Sequence, residues 1–137
     1  MKSFQQLPSR HRQLGIFTSL VLLLAQVATG PALAAVGSGL SLDKSQFAPG
    51  EQIVVHFYAS STFAANAWVG IIPANVPHGS EAVNDQNDLT YQYLQNRASG
   101  ELIFQAPGNP GSYDFRMNDS DNNGNEVGSV SFTVGGN

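Results

Sequence analysis

Pro110-Gly111-Ser112-Tyr113-Asp114-Phe115-Arg116-Met117 is the stretch whose reading decides the fold. Tyr113, Phe115 and Met117 alternate with Asp114 and Arg116, and a period of two is the mark of a strand with one face on a core. Pro110-Gly111 supplies the turn just before it. A tyrosine entering the penultimate strand two residues ahead of a core position is how a tyrosine corner begins. Here that core position is Phe115, so an aromatic plug takes the place a disulfide holds elsewhere. The 137-residue chain has no cysteine, which also excludes thiolate metal sites and a cysteine nucleophile.

Outward from this stretch the same pattern repeats. Val130, Phe132 and Val134 alternate with Ser129, Ser131 and Thr133. Upstream, Glu51 to Tyr58 is rich in β-branched and aromatic residues behind a Pro49-Gly50 turn, and Ala67 to Ile72 is an apolar run. Leu89 to Gln95, Glu101 to Gln105 and a weaker Leu40 to Asp43 complete about seven short strands. No segment sustains a 3.6-residue period; a helical turn within 78–90 is the most that fits. The prediction is an all-β, about seven-stranded, antiparallel immunoglobulin-like sandwich. Trp68, Tyr113 and Phe115 are its expected structural core, with Trp68 between the sheets. Tyr91 and Tyr93 share a strand face and read first as core or edge packing; stacking on sugars or a partner protein is the alternative.

The N-terminus reads as an address. Lys2, Arg10 and Arg12 precede an apolar run from Leu14 to Val27, then Gly30-Pro31 and Ala32-Leu33-Ala34-Ala35. That order describes a secretory signal over residues 1–35, with cleavage near Ala34 or Ala35. The run is shorter than the roughly 20 apolar residues a spanning helix needs. Residues 36–137 are then a single domain, secreted or periplasmic, with no membrane span. From residue 36 onward the chain holds three bases (Lys44, Arg97, Arg116) against ten acids, a balance of −7. That sign disfavours nucleic acid and anionic headgroups and leaves cations, glycans or basic proteins as partners.

Phe47-Ala48-Pro49-Gly50-Glu51, Ala67-Trp68-Val69-Gly70-Ile71-Ile72, the 110–116 stretch and Ser131-Phe132-Thr133-Val134 together resemble the immunoglobulin-like SKICH-type sandwich, over residues 40–134. The resemblance implies a binding or structural module and carries over no catalytic residue. The segment from Pro73 to Leu89 departs from it.

Two segments have the composition of a site. Asp119-Ser120-Asp121-Asn122-Asn123-Gly124 places oxygen donors at positions one, three and five with glycine at six, as an EF-hand loop begins. The twelfth position is Val130 rather than glutamate, so a true EF-hand is excluded. Two readings stand: a solvated Asn-Gly hairpin, and a calcium-capable turn with Asp119, Asp121, Asn123 and Glu126 as ligands. The second segment, Pro73 to Asp88, is long for a connection in a compact domain. It carries His78, Glu81, Asp85 and Asp88, whose acids a short helix would gather on one side. They can hold a cation or polar ligand, or simply keep the loop solvated. His78 beside Ser80 raises a hydrolase, but no Gly-x-Ser-x-Gly elbow or third member accompanies them. His56 and His78 lack zinc spacing. Asn118-Asp119-Ser120 matches the glycosylation pattern. The expected function is a secreted, non-enzymatic binding or adhesion-type module for a glycan or protein. A calcium-stabilised structural module is the alternative, and a small hydrolase around His78 the third.

Overall fold

The computed structural model describes residues 34–36 and 39–135; the expected signal sequence lies outside them except for Ala34 and Ala35. In chain order the strands are β1 (Ala35–Val36), β2 (Leu40–Leu42), β3 (Gln46–Phe47), β4 (Gln52–Tyr58) and β5 (Trp68–Pro73), then β6 (Thr90–Tyr93), β7 (Ser99–Gln105), β8 (Gly111–Asn118) and β9 (Glu126–Val134). One helix, α1 (Glu81–Asn87), stands between β5 and β6. The strands form two sheets, β1-β2-β4-β7 and β3-β9-β8-β5-β6. This is the expected all-β sandwich. The two-residue β1 and β3 add to the seven strands predicted, being too short to show a period. Among the described residues no helix is long and apolar enough to cross a membrane.

Alternation builds the core. Val55, Phe57, Leu102 and Phe104 face inward from one sheet, and Val69, Ile71, Phe115 and Phe132 from the other. Phe115 stacks on Phe132 with centroids 4.7 Å apart and meets Phe104 at 5.1 Å. Each such ring stabilises by roughly 1.5–3 kcal/mol through burial. The Tyr113 hydroxyl donates to the Asn109 carbonyl at 2.7 Å, which closes the tyrosine corner.

Trp68 is buried on the opposite face from the one expected. Val69 and Ile71 enter the inter-sheet core, so the period of two turns Trp68, Gly70 and Ile72 outward. The indole lies over Gly70, where a Cβ would come within 2.7 Å of the ring, so no larger residue fits unless the indole moves. Register carries this outer face across β8, because Trp68 opposes Asn118, Gly70 opposes Arg116 and Ile72 opposes Asp114. A bulge at Met117/Asn118 then sets Asn118 opposite Glu126 instead of Val127. That one-residue shift puts Glu126 on the outer face.

An outward face of this kind is normally wet. Here the connection from Ala74 to Leu89 folds over it. Ser80 caps α1 by accepting from the Val83 amide, and Glu81 in the first turn suits the helix dipole. Glu81 and Asn84, one turn apart, are the helix residues buried toward the sheet.

Candidate functional site

Arg116 sits at the centre of the covered face and is fully buried. Its Nε and Nη2 donate to Asp114 Oδ2 at 3.1 and 2.8 Å. Nη1 reaches the Pro77 carbonyl at 3.0 Å and Asn84 Oδ1 at 2.9 Å, and Nη2 reaches the Val76 carbonyl at 2.7 Å. The guanidinium therefore fastens the 74–89 connection to β8 at two carbonyls and one helix side chain. Asp114 also accepts from Ser131 Oγ at 2.8 Å.

His78 stands at the rim of this network, half exposed. Its Nδ1 lies 2.6 Å from Glu126 Oε2 and its Nε2 lies 3.3 Å from Arg116 Nη2. Its Nε2 also lies 3.4 Å from Asp114 Oδ2, so the ring sits between two carboxylates and the guanidinium. Glu126 also accepts from Asn84 Nδ2 at 3.0 Å and from the Gly79 amide at 3.3 Å. Burial pushes the Glu126 pKa up, but the bonds from His78, Asn84 and Gly79 outweigh it, and the carboxyl titrates below its ordinary value.

The structure brings the two candidate segments together and divides their residues differently. Ser80 bridges to Asn125, and the Glu81 amide donates to the Gly124 carbonyl at 3.3 Å. Asp119 Oδ1 is occupied by the Asn125 amide at 2.8 Å, which closes the turn on itself. Asn123 adopts a left-handed φ of 53°, as asparagine in a turn tolerates. Glu126 points to His78 and Asn84. Among the described residues the carboxylates of Asp119, Asp121 and Glu126 do not converge as the calcium-capable turn expects. Of these three, Asp121 alone joins another group: its carboxylate and those of Glu81 and Asp85 have oxygens all within 4.8 Å of one another.

Glu81 is 2% exposed, and its partners are neutral donors: the Trp68 indole N–H at 3.2 Å and the Gly124 amide at 3.2 Å. Asp88 is raised in pKa by burial and by the charges of Asp85 and Asp121. Asp121 Oδ2 accepts the Tyr93 hydroxyl at 2.6 Å, which holds the phenol protonated well above its usual range. Tyr91 and Tyr93 are 50% and 38% exposed, not core. Period two places them on the outer face of β6, beyond Trp68, with edge-on contacts from Trp68 to Tyr91 at 6.0 Å and from Tyr91 to Tyr93 at 5.4 Å.

Ser80 Oγ serves the Val83 amide, while the His78 nitrogens face Glu126 and Arg116, so the two do not form a nucleophile–base pair. Asn118 is fully buried and accepts from Asn84 Nδ2 at 2.9 Å, which removes it as a glycan acceptor in the folded chain. His56 faces Asp43 and Glu101 on the other sheet. The sequence pattern does not mark Asp114 or Arg116 as site residues, and marks Asn118 only as a glycan acceptor. The available signal was their spacing at alternate positions on a strand that otherwise buries large rings.

Two outcomes follow from the network. Arg116→Met leaves Asp114 and Glu126 buried without their cation, and urea denaturation should show a loss of about 3–5 kcal/mol; a loss under about 1 kcal/mol means the guanidinium does not hold the connection. Glu126 titrates lower when folded than the ordinary value of 4.5. Its contribution is thus present above the unfolded pKa and lost as pH falls through the folded one. The native protein should lose stability more steeply than Glu126→Gln below about pH 4.5, and parallel curves would refute this.

No protein-family model matches the chain, and no curated protein does.

Proposed function

We propose that the chain is an exported, non-enzymatic binding module that meets a glycan or protein ligand with the outer face of β6. Export rests on the basic, apolar and small-residue order of residues 1–35. The observation that carries the binding reading is the exposed pair Tyr91 and Tyr93 on an otherwise covered face. Their positions are fixed from beneath by Trp68 and from the side by Asp121. Tyrosine rings pack on sugars and protein partners with one apolar body and one polar tip, and a surface already ordered loses little freedom on binding. Asp121 at the tip of Tyr93, with Asp85 against it, favours neutral or cationic ligands. The SKICH-type resemblance agrees with a binding module.

The test is retention on arrays of neutral glycans and basic peptides. Tyr91→Ala combined with Tyr93→Ala should weaken the strongest signal by roughly tenfold, equivalent to about 1.4 kcal/mol, with circular dichroism unchanged. Equal retention by both proteins rejects the reading, as does hydrolysis of an ester or glycoside that His78→Ala abolishes.

One arrangement favours calcium stabilisation as a second reading. Glu81, more than nine-tenths buried and bonded among the described residues to neutral donors, converges with Asp85 and Asp121. Carboxylate oxygens are the donors a hard cation takes. Melting should rise with calcium, by roughly 2.7 kcal/mol of stability at a hundredfold excess over Kd, and Asp121→Asn should remove the gain. Identical melting in calcium and in chelator eliminates this reading.

A further inference from the structure

We infer that β6 takes up an extended peptide with basic side chains as an added strand along the open side of the sandwich. This rests on the binding-module reading and names the partner of that same face.

The open side lies between two sheet borders. β6 ends one sheet and β7 ends the other. The Leu94 amide donates to the Ala67 carbonyl at 2.9 Å, and antiparallel ladders alternate bonded and non-bonded pairs. Thr90 and Gln92 therefore bond β5, while Tyr91 and Tyr93 turn their N–H and C=O groups outward. On β7 the bonds from Ala106 to Glu51 and from Ala59 to Ala98 set the same alternation. Glu101, Ile103 and Gln105 turn outward there. Gln92 Nε2 ties the borders by donating to the Ile103 carbonyl at 2.5 Å.

Two shallow grooves, of about 340 and 380 Å³, follow this side and share Gln92. The first lies between Tyr91, Tyr93 and Leu102, the second between Leu89, Ile103 and Pro107. Leu89, Tyr91 and Ile103 are each about half exposed. Exposed borders are usually guarded by lysine, proline, a bulge, a charge or shortness; β6 is short and β7 carries Glu101, but Thr90–Tyr93 and Ser99–Gln105 contain no lysine or proline and no register shift. On β7 the Glu101 and Ile103 carbonyls already accept from Arg97 and Gln92, so the strand adds to β6, where outward backbone groups of Tyr91 and Tyr93 lie beside pockets for alternate side chains, the features a strand-adding peptide uses.

Charge selects the peptide. Asp121 sits at the tip of Tyr93, with Asp85 against it. The base in the groove, Arg97, is committed to the Leu94 carbonyl at 3.1 Å and lies 5.2 Å from the Phe57 ring. Lysine or arginine at alternate positions of an added strand would meet the aspartates and the faces of the tyrosines. A second copy would set ten acids and three bases against the same complement, so self-pairing is opposed.

The experiment is an NMR titration of the labelled protein, in chelator so that no divalent cation competes. The probes are a six-residue peptide of alternating lysine and valine, the same peptide with alternate backbone nitrogens methylated, its glutamate counterpart, and a neutral hexasaccharide. The basic peptide should shift the Tyr91, Tyr93 and Ile103 amides and slow hydrogen exchange at Tyr91 and Tyr93. Backbone methylation, the glutamate peptide, and Asp85→Asn with Asp121→Asn should each weaken binding by roughly tenfold or more. Equal affinity for the methylated peptide, or no response to the basic one, overturns strand addition. If the hexasaccharide alone shifts Tyr91 and Tyr93, strand addition falls and the binding-module reading stands.

Discussion

A guanidinium buried on the outer face of a sheet has to be met atom by atom, and meeting Arg116 organises everything that covers β8. An unpaired buried charge is costly enough to unfold a small domain. The chain answers with Asp114 two residues away on the same face, then with the Val76 and Pro77 carbonyls and the Asn84 amide from the connection. The connection is therefore part of the folded unit and not a decoration of it. The benefit runs both ways. Segments of this length without regular structure expose backbone groups that need partners, and Arg116 supplies donors for two of them.

Much of the sandwich was legible because its strands obey a period of two. Tyr113, Phe115 and Met117 could be placed inward from the sequence alone, and the tyrosine corner with them. What the period reports is which residues share a face. It is silent on what lies over that face. Nothing local to Asp114 and Arg116 reveals that a distant connection returns to cover them. Trp68 shows a related limit. Ala67 to Ile72 is apolar at nearly every position, and an unbroken apolar run marks a strand buried on both sides. Such a run carries no alternation from which to choose a face for the indole. Tyr91 and Tyr93 inherit the same ambiguity, since they pair in register with Gly70 and Trp68.

The candidate site was legible in its members and not in its partition. Both acid-rich segments stand out in the sequence, but local spacing relates residues only within each segment. The bulge at Met117/Asn118 changes this. By shifting register it turns Glu126 toward His78 and Asn84, away from Asp121. Asp119 meanwhile closes its own turn, and a Cβ on Gly124 would strike its carboxylate. Asp121 is left to meet Glu81 and Asp85, which lie about forty residues earlier in the chain. Ligand spacing within a loop can be read from sequence. Convergence across a sheet depends on register, and one inserted residue decides it.

These contacts form one continuous path from the buried cation to the exposed rings. Arg116 holds Asn84, and Asn84 fixes the inner side of α1. The same helix presents Glu81, which anchors the Trp68 indole. Trp68 supports Tyr91, Tyr91 meets Tyr93, and Tyr93 is tied to Asp121, whose carboxylate returns to Glu81 and Asp85. Each link is short, and most are buried or backed by a strand. A surface held this way presents aromatic area whose rotamers are already chosen, which is the condition under which a small patch can bind with useful affinity. The polar network beneath the connection thus serves as a mount for the β6 face. Its donors and acceptors are spent on one another, and the surface beyond it presents the β6 rings and the outward backbone of Tyr91 and Tyr93.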